Sequence, residues 1–104
     1  MLVRFDDNPT GAVLTLGTGS VATPAWFNAY HPYADHLKFL SDLAAAYPNN
    51  AKVVSAGNSL QGQAITGINI FGSGGSGSKP AIIWHANVHA REWITSMVCS
   101  HSFA

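Results

Sequence analysis

Glutamate and cysteine are nearly absent from this sequence, because Glu92 and Cys99 are the only examples among 104 residues. A single cysteine excludes an internal disulfide, although a bond with a cysteine outside these residues stays open. Its apolar neighbours Met97 and Val98 predict a buried, reduced thiol. Charged residues make up only 10% of the chain, against about a quarter in ordinary domains. Five basic and five acidic residues cancel, so we expect no nucleic-acid partner and no attraction to an anionic membrane.

Long apolar runs are also missing. No segment approaches the ~20 consecutive apolar residues needed to cross a bilayer. Asp6 and Asp7 lie where a secretory signal peptide would have its apolar run, so we expect no signal peptide in this chain. A hydrophobic fraction of 47% and three tryptophans nevertheless predict a folded core. The length is that of one small domain.

Composition divides the chain near residue 24. Residues 1–24 are rich in glycine, threonine and proline, and we interpret them as a tail or linker with one candidate strand at 12–16. Residues 25–104 have the patterning of an α/β domain. Apolar side chains recur every three or four positions from Tyr33 to Ala44, which predicts a helix that begins near Pro32 and ends near Tyr47.

The later elements alternate in type. Two strands are predicted at 51–55 and 64–71, joined by a glycine-bearing turn. A third strand at 80–86 is apolar enough to be buried on both faces. A helix should follow from about residue 91, with an apolar stripe formed by Trp93, Ile94, Met97 and Val98.

One histidine and the sole glutamate lie three residues apart at the predicted strand-to-helix turn. His89 should lie in the turn and Glu92 in the first helical turn, so the two side chains can converge on one point. An imidazole nitrogen and a carboxylate oxygen are ligands of catalytic zinc, and ligands bind beyond the carboxyl ends of strands in open α/β sheets. A carboxylate also stabilises a helix N-terminus, so a purely structural role for Glu92 stays open.

The other histidines do not complete this site. On a helix, His101 would lie about half a turn out of phase with Glu92 and ~13 Å away along the axis. His85 would lie ~13 Å from His89 along a strand, which predicts a place in the core or around the ligands. For His31 and His36 we expect surface or capping roles. A third ligand would have to come from other sequence or from a partner chain.

The run Asn87–Thr95 (NVHAREWIT) resembles the first zinc-binding segment of the carboxypeptidase A-like zinc metallocarboxypeptidases. Upstream, Tyr30–Tyr33 (YHPY), Ala56–Ile65 (AGNSLQGQAI) and Lys79–Ile83 (KPAII) are similar to that family's entry to the mature enzyme, its first inter-strand turn and its strand leading to zinc. The resemblance covers roughly residues 25–104 and is closest to secreted fungal members.

The resemblance implies an α/β fold, namely the N-terminal portion of a mixed-sheet α/β/α metallocarboxypeptidase domain that is incomplete in this chain. Residues 25–104 would be the N-terminal part of the peptidase domain, and residues 1–24 a tail that could be the end of a pro-segment. It also implies Zn²⁺ held by His89 and Glu92, a substrate contact from Arg91, the C-terminus of a peptide or protein as substrate, and an extracellular location.

Several family components have no counterpart in this sequence. They are the third histidine ligand, the arginines that hold the substrate carboxylate, the closing tyrosine and the general-base glutamate. Glu92 cannot also be the base, because a zinc-bound carboxylate is already committed. We therefore expect the parent enzyme to hydrolyse C-terminal peptide bonds, and these 104 residues alone to lack catalytic residues and activity. The preferred C-terminal residue and the oligomeric state stay open.

Two alternatives remain at this point. The first is a zinc deacylase related to aspartoacylases, although those enzymes carry a His-Gly-x-Glu core and Ala90, Arg91 and Trp93 fit the peptidase better. The second is a non-catalytic interaction module that retains half of a zinc site.

Overall fold

The computed structural model describes residues 2–5 and 24–102, which form short helices and one mixed sheet. The strands are β1 (Leu2–Phe5), β2 (Ala51–Asn58), β3 (Ala64–Ile70) and β4 (Ile82–His85). The helices are a 3₁₀ turn at Pro24–Asn28, α1 (Tyr33–Ala46) and α2 (Ile94–His101). The described elements therefore confirm the predicted α/β class.

The four described strands are ordered β2-β3-β1-β4. β2 and β3 are antiparallel, with Val53 opposite Ile68. β1 is parallel to β3 and antiparallel to β4, and it lies between these two strands in the sheet. A strand at Leu2–Phe5 was not predicted, since this region was interpreted as a tail. The candidate strand at 12–16 lies outside the described residues.

Helix α1 forms where the apolar periodicity predicts it. Pro32 occupies the N-cap with φ −64°, a value that its ring imposes, and Asp35 lies in the first turn, where a negative charge suits the helix dipole. At the other end, the N–H of Tyr47 donates to the carbonyl of Leu43. The helix thus begins and ends as the sequence indicates.

The core lies between α1 and the β2–β3 hairpin. Leu40 and Ile68 are almost fully buried, at 1% and 0% exposure, and they form the centre of one apolar cluster. The other buried members are Phe39, Leu43, Ala51, Ile70, Ala86 and Cys99. Cys99 is a free thiol, as predicted, and burial raises its pKa, which keeps it protonated. The cluster therefore joins α1, the hairpin and α2.

The turn between β2 and β3 requires glycine. Gly62 has φ +81° and its N–H donates to the carbonyl of Ser59, which closes the connection. Gly57 has φ +111° at an irregularity in the ladder between Ser55 and Asn58. Residues with a Cβ rarely adopt these conformations. The glycine-bearing turn predicted between the two strands is thus confirmed.

Two burial predictions are wrong. All four residues of β4 are exposed, including Ile82 and Ile83 at 54% and 59%, so this strand is not buried on both faces. α1 contacts β2 and β3, the opposite side of the sheet order from β4. An apolar run identifies a strand that is able to be buried, but the cover must come from other elements.

The apolar stripe predicted for α2 is wrong for three of its four residues, since only Met97 is buried. Trp93, Ile94 and Val98 are exposed at 57–59%. The buried residues of this helix are instead Ser96, Met97, Cys99 and Ser100. Three of these carry small side chains at i, i+3 and i+4, which form one face and permit close approach to the core.

Among the described residues, no helix is long and apolar enough to span a membrane.

Truncation of Leu40 should strongly destabilise the fold. Leu40→Ala leaves a cavity at the centre of the cluster, so we expect the free energy of unfolding to fall by ~2–5 kcal/mol. Leu60→Ala is the matched control, because Leu60 is fully exposed and should change stability by less than about 0.5 kcal/mol. Urea denaturation measures both variants. Equal losses in the two would contradict the assigned core.

Candidate metal centre

A tight turn between β4 and α2 brings the two candidate ligands together. The backbone N–H of Glu92 donates to the carbonyl of His89 over 3.1 Å. His89 Nδ1 then lies 3.0 Å from Glu92 Oε1. The predicted convergence is present, but its cause differs from the prediction, because α2 begins at Ile94 and Glu92 lies before the helix. A turn, and not helical phasing, joins the pair.

Helix capping does not account for the position of the Glu92 carboxylate. The N-cap of α2 is Trp93, and no side chain caps this helix end. It is the backbone carbonyl of Glu92 that serves the helix, by accepting the N–H of Thr95 over 3.1 Å. The Glu92 carboxylate is directed to His89 instead.

The donor set and spacing of this pair fit zinc. Zinc binds imidazole nitrogen and carboxylate oxygen at about 2.0–2.2 Å, so two ligands at a tetrahedral angle lie about 3.4 Å apart. The observed 3.0 Å is a hydrogen-bond distance, and it is within a few tenths of an ångström of that spacing. His89 and Glu92 are 74% and 52% exposed, so an ion from solvent can reach them. Arg91 is exposed in the same turn.

The described residues supply two ligands and no third. Within 2–5 and 24–102, no group of three or more histidine, cysteine, aspartate or glutamate side chains could hold a metal ion. His85 is exposed on β4, so its predicted place in the core is wrong. His101 is exposed at the end of α2, where its ring packs edge-on against Phe27.

The two N-terminal histidines form an aromatic cluster beside α1. His31 stacks on Trp26 with ring centroids 3.6 Å apart, and its Nε2 lies 2.8 Å from the Trp26 carbonyl. His36 packs edge-on against the same indole and is only 7% exposed, so the predicted surface role for His36 is wrong. Phe39, on the next turn of α1, stacks on the same indole with ring centroids 5.6 Å apart.

A cleft of about 410 Å³ lies between α1 and the β4–α2 turn. Its aromatic and imidazole lining consists of Tyr30, His31, Tyr33, His36 and Trp93. Trp93 was predicted to be a core residue, but it is 59% exposed, with its ring edge-on to Tyr30. Its Nε1–H donates to the carbonyl of Ala90 over 2.8 Å. This hydrogen bond stabilises the turn that contains His89 and Glu92, called the ligand turn below.

Asn87 was not selected by the sequence analysis, yet it has the most unusual backbone in this region. Its φ is +56°, and it is the only non-glycine residue with positive φ among those described. Asparagine tolerates this left-handed conformation better than most residues. An asparagine directly after a strand, two residues before a candidate ligand, was the available signal.

Comparison with known proteins identifies the class of protein to which this turn belongs. Residues 36–102 match the family model for zinc carboxypeptidases, Peptidase_M14. The chain therefore belongs to the zinc carboxypeptidase family, as its resemblance predicted.

Curated fungal proteins are close relatives. The chain is 48% identical over 92 residues to a metallocarboxypeptidase A-like protein of Trichophyton verrucosum, a match that covers 88% of this chain and 21% of that protein. It is 50% identical over 76 residues to metallocarboxypeptidase A of Trichophyton rubrum, covering 73% and 18%. A zinc carboxypeptidase of Simulium vittatum is 29% identical over 72 residues, covering 69% and 23%.

The chain thus spans about a fifth of the length of the curated relatives it matches. No solved structure matches it significantly. The carboxypeptidase matches do not favour the zinc deacylase alternative.

Acidification should destabilise the fold through His36. Burial, with a smaller contribution from His31, lowers the pKa of His36 below its ordinary value of 6.5. The unfolded state then binds more protons, so stability is complete above about pH 6.5 and falls as the pH drops below it. We expect His36→Phe to flatten the decline in unfolding free energy between about pH 7.5 and 5.5.

Denaturant titrations across this pH range measure the effect. The matched control is His85→Phe, because His85 is exposed and should leave the slope unchanged. An identical pH slope for wild type and His36→Phe would show that this histidine is not held neutral by the fold.

Proposed function

We propose that this chain is the N-terminal zinc-binding part of a secreted metallocarboxypeptidase that removes C-terminal residues from peptides. His89 and Glu92 are the first two zinc ligands in this proposal, and Arg91 contacts the substrate. The observation that carries it is the 3.0 Å approach of His89 Nδ1 to Glu92 Oε1 in an exposed turn. Membership of the zinc carboxypeptidase family supports the choice of metal and reaction.

In this proposal, the residues of this chain bind the zinc ion and orient the substrate. A zinc ion in such a site would polarise the scissile carbonyl and acidify a water molecule. His89 and Glu92 hold the ion on a turn whose backbone is fixed by the hydrogen bond from the Glu92 N–H to the His89 carbonyl. Arg91 lies between the two ligands in sequence, so a substrate held by its guanidinium would be close to the ion. A guanidinium donates several hydrogen bonds in a fixed plane, which suits a peptide carbonyl.

In the proposal, the third zinc ligand and the general base come from sequence outside these 104 residues, as the family resemblance implies. Catalytic zinc takes three protein ligands, and the described residues offer two at this site. Hydrolysis also needs a general base, and the sole glutamate is already a ligand in the proposal. The large part of each relative that has no counterpart here is the natural source of both.

The exposed apolar faces of β4 agree with this proposal. Ile82, Ile83 and Trp84 are 40–59% exposed on a strand that leads directly to the ligand turn. A strand of this composition is ordinarily covered by helices or further strands. In the proposal, the rest of the peptidase domain provides that cover. The resemblance to secreted fungal family members supports an extracellular location.

A chimeric enzyme tests the ligand assignment. The segment of Trichophyton rubrum metallocarboxypeptidase A that matches this chain over 76 residues is replaced by the matching residues of this chain. We expect the chimera to release the C-terminal residue of a peptide with a free carboxylate, but not of the same peptide with an amidated C-terminus. His89→Ala and Glu92→Gln should each lower kcat/KM by more than about a hundredfold, since even outer partners of zinc ligands cost 10–100-fold.

His85→Ala is the matched control, because this nearby histidine, four residues before His89, is not a ligand in the proposal. It should leave kcat/KM and zinc content unchanged. Retention of zinc and activity in His89→Ala would refute the assignment. Cleavage of N-acyl amino acids in place of peptides would favour the deacylase alternative.

A further inference from the structure

Asn87 ties the end of β4 to the start of α2. Its side-chain Oδ1 accepts hydrogen bonds from Ser96 Oγ over 2.6 Å and from Thr95 Oγ1 over 3.0 Å. Its backbone N–H donates to Thr95 Oγ1 over 3.0 Å. Ser96 is 7% exposed, so one end of this network is anchored in the packed face of α2. Asn87 is therefore fixed to a rigid element, although it lies in a loop.

The same network reaches the backbone of both candidate ligands. Thr95 Oγ1 lies 2.7 Å from the carbonyl of Glu92 and can donate to it, and the Thr95 N–H donates to the same carbonyl over 3.1 Å. The Glu92 N–H then donates to the carbonyl of His89. Since a hydroxyl carries one proton, Thr95 donates to Asn87 or to Glu92 at any moment, and Ser96 is the independent donor to Asn87.

Burial contributes little to the placement of the ligand side chains. Most of the His89 side chain and about half of the Glu92 side chain are exposed. The hydrogen bonds from α2, together with the bond from Trp93 Nε1–H to the Ala90 carbonyl, thus constrain the position of the turn. A residue that positions ligands in advance reduces the ordering cost of binding an ion.

We propose that Asn87 is a positioning residue for the zinc pair, holding the His89–Glu92 turn against the first turn of α2, where Ser96 is buried. The proposal rests on the proposed function, in which these two residues bind zinc. Asn87 meets two requirements at once, namely a left-handed backbone at φ +56° and an amide oxygen that accepts from Ser96 and Thr95.

Substitutions separate these two requirements. Glycine adopts the left-handed backbone freely but has no acceptor. Aspartate keeps an acceptor oxygen and tolerates the same backbone. Asn87→Gly therefore removes the network without straining the chain, and Asn87→Asp is the conservative variant that should rescue it. Ser96→Ala removes one donor and places no demand on the backbone.

The first measurement is metal binding by the full 104-residue chain. Co²⁺ is titrated into the chain as a spectroscopic substitute for zinc, and its visible absorption reports the ligands and their geometry. We expect Asn87→Gly to weaken Co²⁺ binding about tenfold, within the range known for outer partners of metal ligands. Asn87→Asp should bind at least as tightly as wild type. Asn49→Gly, an exposed turn asparagine, is the control.

The second measurement needs no metal. Trypsin cleaves after Arg91, within the turn, and after Lys52, in β2. We expect Asn87→Gly and Ser96→Ala to raise the cleavage rate at Arg91 several-fold and to leave the rate at Lys52 unchanged. Asn87→Asp should be cleaved like wild type. Faster cleavage at Lys52 as well would show that a variant is generally unfolded. If this happens with Asn87→Gly, the cleavage rates of Ser96→Ala test the proposal in its place.

The outcomes distinguish this proposal from the proposed function. If His89→Ala does not alter Co²⁺ binding, the zinc assignment fails, and the role of Asn87 toward zinc fails with it. If His89→Ala abolishes binding while Asn87→Gly and Ser96→Ala keep wild-type affinity and wild-type cleavage at Arg91, the zinc pair stands and Asn87 has no positioning role.

Discussion

The contact between α1 and β3 is the interaction on which the rest of the structure depends. Leu40 of α1 and Ile68 of β3 belong to one buried cluster and have almost no exposed surface. The same cluster includes Ala86, one residue after β4, and Cys99 on α2. Both ends of the ligand turn are therefore anchored in one core. Exposed ligands can keep a defined position only because the two elements that flank them are held in this way.

Local signals in the sequence predicted what is local in the structure. The helical period and the flanking prolines gave the bounds of α1, and the glycine-bearing turn gave the hairpin. Burial was predicted less well, because it depends on which elements lie alongside. Ser96 and Ser100 are buried on α2 while Trp93 and Ile94 are exposed. Small side chains carry no strong apolar signal, so their use as a packing face is visible only in three dimensions.

The same difference between local and longer-range features applies to the candidate site. The spacing of His89 and Glu92 predicted their convergence, although the reason given was helical phasing and the structure uses a turn. Both geometries return a residue to its neighbour three positions earlier, so the spacing alone could not separate them. Asn87 was missed because its partners, Thr95 and Ser96, lie eight and nine residues away. Its left-handed backbone becomes evident only when the turn is built.

A pair of ligands three residues apart can be encoded within one turn, whereas a third ligand needs a return of the chain from elsewhere. This explains how one short segment can contain a recognisable half of a zinc site. The proposed half-site has the donor types and the spacing, and in our proposal the Asn87 network supplies its rigidity from α2. Affinity for an ion depends on the number of ligands as well as on their placement. A segment with these properties would therefore hold zinc weakly alone and firmly once a third ligand is brought to the same point.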